Sequence, residues 1–286
     1  MKAREIKTRI KSVKNISQIT KAMKMVAAAR LRRFQERLLA SRPYGEEIRA
    51  LLADLQATGE GHPLFSEGPA EGRSLVLFFS SDRGLCGSFN SNLFRAVEAF
   101  VRDRGPEKTD VLALGKKGFD FLRHRRGIGL EEVPADLSKL QVATALGLGS
   151  EALRRFLSGT YRDVTLVYTR FKSVSSREVV RDILLPLGGD HDQDHDQDHE
   201  SKEMLFEPTG LDVLEALLPM AVKSRVWVAL LESLSSEMAA RMLAMENASK
   251  NAKDMIASLT LQYNRARQAG ITKELAEIVG GAEALK

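Results

Sequence analysis

Proline and glycine are missing from long stretches at both ends of this 286-residue chain. Neither occurs from Met1 to Arg42, and Pro43 is the first residue expected to bend or interrupt a helix. From Met220 to Lys286 there is no proline, and the three glycines all come near the end. At the rise of an α-helix these stretches predict helices of roughly 60 Å and roughly 90 to 100 Å, too long for a compact domain.

Cysteine and long apolar runs are also scarce. Cys86 is the only cysteine, which excludes an internal disulfide, a dithiol switch and a cysteine-only metal site. No run of about 18 apolar residues occurs, and charge begins at Lys2, so we expect neither a transmembrane helix nor a secretory signal. With 43% hydrophobic and 28% charged residues, the composition predicts a soluble protein of the cytosol or of a membrane's cytosolic face.

The carboxy-terminal stretch carries a heptad repeat with an a/d seam. Its first row is Met238, Met245, Ala252, Leu259 and Ala266, and its second row is Met242, Ser249, Ile256 and Tyr263. Near the amino terminus, steps of three or four connect Ile6, Ile10, Val13, Ile16, Ile19, Met23, Ala27, Leu31, Phe34 and Leu38. We therefore predict that the two ends pack together as an antiparallel coiled coil. Alternatively, the apolar face of each helix could pack on a globular domain. The remaining residues are too few to form a domain that covers both helices.

Acidic residues are rare in the first helical stretch. Residues 1–42 contain thirteen Lys or Arg and only two acids, Glu5 and Glu36. Such a basic stripe fits nucleic acid, anionic lipid or an acidic protein surface. The simpler alternative is a solvated helix face, but the imbalance exceeds what solubility requires.

The middle of the chain alternates short β-rich runs with helical runs. The predicted strands are Ser74–Ser80, Asp110–Leu114, Asp163–Phe171 and a further, edge strand at Val179–Leu185. The predicted helices are Ser91–Arg104, Lys116–Arg123 and Gly149–Leu157. This alternation predicts a small parallel α/β sheet inserted between the two terminal helices. The predicted segments are an amino-terminal helix (1–57), the α/β domain (73–187), an acidic segment (188–208) and a carboxy-terminal helix (209–286).

A glycine-containing turn follows the first predicted strand at residues 81–90 (SDRGLCGSFN). Turns from a strand into a helix bind phosphates in many α/β folds. This one lacks the third glycine of a dinucleotide fingerprint and the Gly-Lys-Ser/Thr of a P-loop, so a structural turn is the better interpretation. Cys86 within it is more typical of a small buried residue than of a nucleophile.

A low-complexity run of histidine and aspartate occupies residues 188–200 (GGDHDQDHDQDHE). Its histidines, His191, His195 and His199, are spaced to bind Zn or Ni on a helix, but the acidic, glycine-led composition favours a solvated loop. No catalytic triad, acid–base carboxylate pair or metal cluster stands out elsewhere, which argues against an enzyme. No cofactor is predicted.

Three blocks of sequence resemble the gamma subunit of F-type ATP synthases, the central rotor stalk. They are residues 19–28 (ITKAMKMVAA), residues 81–87 (SDRGLCG), and a carboxy-terminal block of 239–242 (AARM), 261–268 (LQYNRARQ) and 271–282 (ITKELAEIVGGA). The resemblance covers nearly the whole chain, in the same order of helix, domain and helix. The His/Asp run has no counterpart in the family pattern, and the regulatory dithiol segment of chloroplast members is missing.

The resemblance implies a fold, a location and a set of partners. The long antiparallel coiled coil would stand in the cavity of a hexamer of alternating alpha and beta subunits, as a non-catalytic subunit that couples ring rotation to nucleotide sites. The inserted small Rossmann-like α/β domain would lie beside the epsilon subunit and the ring of c subunits. The chain would thus be peripheral to the cytoplasmic face of the inner (plasma) membrane.

The resemblance also implies which residues make contact. Those for contact or coupling with the hexamer are Met23, Arg241, Arg267, Gln268, Thr272 and Glu274. An apolar tip is formed by Leu275, Ile278, Val279, Ala282 and Leu285. The foot near the c ring is Met204, Leu205, Phe206 and Glu207.

Two other functions fit part of the sequence. A nucleic-acid-binding helical hairpin would explain the basic helix, but such a surface should carry aromatic residues among its charges, and that helix has only Phe34. A nucleotide-dependent enzyme would explain the α/β insertion, but it should have a complete phosphate loop. Nucleic acid is therefore not among the expected partners.

Overall fold

A computed structural model describes residues 3–55, 61–137, 141–187 and 209–283. The helices are α1 (Ala3–Leu55), α2 (Phe89–Arg104), α3 (Lys116–Leu122), α4 (Val142–Leu157) and α5 (Gly210–Glu283). The strands are β1 (Arg73–Phe79), β2 (Thr109–Leu114), β3 (Gly129–Val133), β4 (Tyr161–Phe171) and β5 (Arg177–Leu185). Single 3-10 turns lie at Pro63–Phe65 and Pro106–Lys108. The predicted fold class, two long terminal helices with an inserted α/β domain, is confirmed.

The first helix does not stop at Pro43, the residue expected to bend or interrupt it. It runs through that residue to Leu55. Proline removes one backbone donor, so the carbonyl group of Leu39, four residues earlier, loses its usual partner. Both Leu39 and Pro43 are exposed, and water can therefore satisfy the carbonyl oxygen. A second proline, Pro219, lies inside α5 in the same way.

The sheet has the strand order β3-β2-β1-β4-β5. The first four strands in this order pair in parallel, and β5 runs antiparallel along β4 at the edge. The sequence did not predict β3, the opposite edge strand, because Glu131 and Glu132 interrupt its apolar pattern. An edge strand tolerates such charges, since only one of its sides pairs with a neighbour.

Two compact units make up the chain, and both long helices contribute to each. One unit contains Met1–Ala28 and Arg241–Lys286, and the other contains Ala29–Ala240. The units do not divide at the helix ends, so the segment boundaries proposed from the sequence stay predictions. Within the described residues, no helix is both long and apolar enough to cross a membrane.

The second unit holds the α/β core. Strand β1 is buried along almost its whole length, and its Val76 and Phe78 belong to the central cluster. Helix α2 turns Leu93 and Val97, one helical turn apart, onto that cluster. Ala240 of α5 packs into the same cluster, so the last helix is part of this domain's core as well as continuing beyond it.

Candidate functional site

The first unit is a two-helix seam of apolar side chains. Ile6 and Val13 of α1 form one buried cluster with Ala252 and Leu259 of α5. Residues packed around this cluster are Ile10, Ile256, Tyr263 and Ala266. The heptad positions predicted for α5 are therefore the ones that meet α1.

On α1 the predicted stripe is wrong at two positions. Ile16 and Ile19 are 52% and 58% exposed, so neither faces the seam. Alternating steps of four and three residues from Ile6 lead through Val13 to Ser17 and Thr20 instead. Thr20 is buried. Small polar residues fill this part of the seam, and the two isoleucines are turned outward.

One ion pair crosses the seam between the helices. The Nζ atom of Lys24 lies 2.6 Å from Oε1 of Glu246. The two side chains are 37% and 51% exposed, and water therefore screens the attraction. Packing, and not this pair, holds the two helices together.

Replacing both Lys24 and Glu246 by alanine is expected to lower the free energy of unfolding by no more than about 1 kcal/mol. Urea unfolding of the double variant measures this. As a matched control, Leu259→Ala in the same seam is expected to cost about 2 to 5 kcal/mol, because it opens a cavity. A larger loss from the ion-pair variant than from Leu259→Ala would overturn this ranking.

Apolar side chains also lie on the outer surface of the seam helices. On α1 these exposed side chains are Ile16, Ile19, Met25 and Val26, and on α5 they include Met255 and Leu261. Exposed apolar side chains mark a surface that another protein covers when they form a contiguous patch. The exposure of Ile16 and Ile19 could have been predicted from the sequence, because strict heptad spacing leaves both residues outside the seam.

The six residues implied by the resemblance occupy different environments. Arg267, Gln268, Thr272 and Glu274 are exposed on α5, and Met23 is half-buried. The hydroxyl of Thr272 donates to the carbonyl oxygen of Gln268 at 3.0 Å, within the helix. Arg241 is only 9% exposed. A partner can reach the four exposed residues, whereas Arg241 has little surface to offer.

The apolar tip is described only in part. Leu275 and Ile278 are exposed on α5. The side chains of Val279, Ala282 and Leu285 lie outside the described residues, as do the histidines His191, His195 and His199 and the predicted foot, Met204, Leu205, Phe206 and Glu207. Among the residues that the structure does describe, no group of His, Cys, Asp and Glu could hold a metal ion.

In the second unit, the glycine-containing turn is held by its own side chains. The amide Nδ2 of Asn90 donates to Oγ of Ser81 at 2.7 Å and to Sγ of Cys86 at 3.3 Å. Cys86 is buried, as predicted. Leu85 at the tip is exposed and has a φ of 65°, a backbone conformation that costs energy for a residue with a side chain. The turn therefore presents Leu85 to solvent, a feature that the sequence analysis missed.

Helix α5 covers the edge of the sheet where α/β folds usually bind nucleotides. That crevice lies at the carboxyl ends of the strands where the strand order reverses, between β1 and β4. The Oγ of Ser233 donates to the carbonyl oxygen of Phe79 in β1 at 3.5 Å, and the Oγ of Ser236 donates to that of Thr169 in β4 at 3.1 Å. Small buried residues allow this close approach, namely Ala229, Ser233, Ser236 and Ala240. The crevice is therefore filled by the chain itself, which favours a structural role for the turn.

The chain thus has a long two-helix seam and an α/β domain whose usual ligand crevice is filled by α5. A family model described as ATP synthase matches residues 2–285. The chain is 43% identical to the ATP synthase gamma chain of Geotalea daltonii, over 99% of this chain and 98% of that one. It is 38% identical to the ATP synthase gamma chain of Chlorobium luteolum, with the same coverage.

Solved structures agree with these relatives. A chain of the Tetrahymena thermophila mitochondrial ATP synthase central stalk and c-ring matches with a TM-score of 0.60 and 28% identity, over 81% of this chain and 99% of that one. A chain of the Euglena gracilis mitochondrial ATP synthase has the same fold, with a TM-score of 0.66 and 20% identity over 99% of this chain and 94% of that one. The chain belongs to the ATP synthase gamma chain family, and the resemblance seen in the sequence is confirmed.

Proposed function

We propose that this chain is the central rotor shaft of a proton- or ion-translocating F-type ATP synthase. It couples rotation of a c-subunit ring to changes at the nucleotide sites of an alpha/beta hexamer, and it is itself non-catalytic. The observation that carries this proposal is the match of the whole chain to gamma chains, together with a two-helix seam whose apolar outer surface is exposed. The partners are the alpha, beta and epsilon subunits and the c ring.

The mechanism follows from the asymmetry of the two-helix seam. A rotor must present a different face to each of three beta subunits as it turns. Around α1, the apolar outer residues Ile16 and Ile19 lie on a different face from the seam residue Val13, and exposed Lys14 lies between Val13 and Ile16 in the sequence. Each face stabilises a different conformation of the facing beta subunit, and the affinity of that subunit for nucleotide changes accordingly.

Within this proposal, the exposed residues of α5 contact the hexamer. Arg267 supplies a guanidinium group and Gln268 an amide, and Glu274 adds a carboxylate one to two helical turns further on. Half-buried Met23 contributes from α1. Because Arg241 is nearly buried, we assign it to positioning α5 and not to direct contact. Leu275 and Ile278 continue as an apolar tip that seats in a hydrophobic collar.

The predicted foot, Met204 to Glu207, would meet the c ring. We place the chain at the cytoplasmic face of the inner (plasma) membrane, as a peripheral component of the complex. The runner-up function, a nucleic-acid-binding hairpin, gains no support from the relatives and structures named above, which are ATP synthase chains. The exposed apolar residues of the two helices also suit a protein partner better than nucleic acid.

The purified chain alone is expected to show no ATP hydrolysis, and ATPase activity is expected to appear on reconstitution with alpha and beta subunits. The physical reason is that the chain has no phosphate loop and its α/β crevice is filled by α5. A coupled ATPase assay on the lone chain, the subunit mixture and the mixture without this chain measures the difference. Turnover by the lone chain that survives removal of contaminating ATPases would refute the shaft assignment.

Charge reversal at Arg30, Arg32 and Arg33 is expected to weaken assembly with the hexamer, and more strongly at low salt than at high salt. All three side chains are exposed, and Arg32 pairs with Glu36 at 3.0 Å on its own helix. Exposed charges are screened over about 8 Å at physiological ionic strength. Binding of the triple glutamate variant to the hexamer, measured across a salt series, tests this. Equal affinities of variant and unmodified chain at every salt concentration would mean that the basic stripe is only a solvated face.

A further inference from the structure

A buried carboxyl group lies where α5 packs on the sheet. Glu232 of α5 is partly buried, and its Oε2 atom is inaccessible to water and has no hydrogen-bond partner. Two nearby residues of the same helix hydrogen-bond to the sheet. Ser233 donates to β1, and Ser236, one turn after Glu232, donates to β4. Glu232 therefore sits inside the helix–sheet interface and not beside it.

Titratable groups from three other elements, α1, β4 and β5, face Glu232. They are Arg42 of α1, Tyr168 and Arg170 of β4, and Asp182 of β5. Arg225 of α5 is already engaged, because its Nη2 lies 3.1 Å from Oδ1 of Asp182 and donates to the carbonyl oxygen of Ile183 at 2.8 Å. Arg170 is the half-buried cation left to balance an ionised Glu232. Arg170 therefore offsets part of the charge of an ionised Glu232.

The two protonation states differ in how well the interface is satisfied. An ionised carboxylate with a buried, unpartnered oxygen is costly, whereas the protonated acid is neutral. Burial raises the pKa of Glu232 from its ordinary value of 4.5 to about 7, although Arg170 and Tyr168 act in the opposite direction. Because folding raises the pKa of Glu232, proton binding to this carboxyl group stabilises the folded state. This contribution to the free energy of unfolding is fully present below the ordinary pKa of 4.5. That contribution is lost as the pH rises through about 7.

We propose that Glu232 is a proton-operated latch between α5 and strands β4 and β5. While its carboxyl group is protonated the helix is held firmly on the sheet. When the proton leaves to solvent, the buried negative charge weakens that hold, and Arg170 offsets the loss only in part. The latch sets how rigidly the long helix is joined to the α/β domain. It is a property of the chain alone and does not depend on the proposed function.

Hydrogen exchange of the full-length chain, followed by mass spectrometry, tests the latch. Peptides covering residues 225–240 are compared at pH 6 and pH 8 after correction for intrinsic exchange. With Glu232 at its ordinary pKa in the opened state, opening of this segment is expected to increase about tenfold between the two pH values. Glu232→Gln, a neutral residue of the same shape, is expected to remove that dependence. Glu215→Gln, an exposed change on the same helix, should behave as the unmodified chain does.

Two results would overturn the latch. One is an unmodified chain whose segment opens equally at pH 6 and pH 8, and the other is a Glu232→Gln variant that keeps the tenfold dependence. If the glutamine variant does not fold, titration of the Glu232 carboxyl carbon by NMR in the unmodified chain decides the question. Titration near pH 7 supports the latch, and titration near pH 4.5 excludes it.

Discussion

Replacing Ser236 by leucine is expected to lift α5 from the sheet and to lower the free energy of unfolding by about 3 kcal/mol. Ser236 is fully buried, and its Oγ donates to the carbonyl oxygen of Thr169 at 3.1 Å. Leucine has two more side-chain heavy atoms than serine at a point where the helix lies against the strand, and it leaves that carbonyl group without its side-chain donor. Urea unfolding monitored by circular dichroism measures the loss.

A matched control lies on the exposed surface of the same helix. Ser258→Leu makes the same chemical change where the side chain faces solvent, and we expect it to alter the free energy of unfolding by less than about 0.5 kcal/mol. Similar losses for the two leucine variants would show that α5 does not rest tightly on the sheet. In that case the helix would not fill the nucleotide crevice either.

The double substitution Arg267→Ala with Gln268→Ala is expected to reduce ATP synthesis by the assembled complex at least tenfold. Both side chains are exposed on α5 in the free chain, so the substitution should leave folding intact. In the complex, removing a charged group that has been buried against a partner leaves the facing group unpaired, which costs far more than losing a surface pair. Synthesis in reconstituted vesicles is the measurement.

Lys250→Ala provides the control for this contact. Lys250 is also exposed on α5, and its removal should change synthesis little. If the double variant and the control have the same activity, the contact lies elsewhere on the helix, and the assignment of Arg267 and Gln268 has to be withdrawn. A double variant that unfolds would be recognised by its circular dichroism before assembly.

Much of the fold was predictable because it follows from periodicity. The heptad rows of α5 specified the seam that meets α1, with Ala252 and Leu259 at its centre. The strands β1, β2 and β4 are buried along most of their length, and each has an apolar, β-branched or aromatic stretch typical of buried parallel strands. The resemblance to one family then placed these elements in a known order.

The errors have physical causes that a periodicity count alone does not capture. Ile16 and Ile19 were placed in the seam because they are apolar, yet the strict heptad passes through Ser17 and Thr20. Pro43 was expected to bend or interrupt a helix, yet α1 continues through it, because the residue is exposed and water can satisfy the carbonyl group left without a donor. Strand β3 was not predicted, because Glu131 and Glu132 interrupt the apolar pattern of this edge strand.

The candidate site was less predictable than the fold. Contact residues on α5 came from the resemblance, because exposed polar residues carry no periodic signal of their own. The burial of Glu232 and of Arg241 depends on which elements pack around them, which a single sequence does not specify. The strained backbone of Leu85 is likewise a property of the folded turn.

Direct observation of rotation is the measurement that tests the shaft assignment most directly. The alpha/beta hexamer is fixed to a surface, and a bead is attached to the α/β domain of this chain, through a cysteine introduced at exposed Lys117 after Cys86 has been replaced by serine. On addition of ATP, we predict that the bead turns in one direction, in steps, and stops when ATP is removed. A stoichiometric complex that hydrolyses ATP while the bead stays still would contradict the assignment.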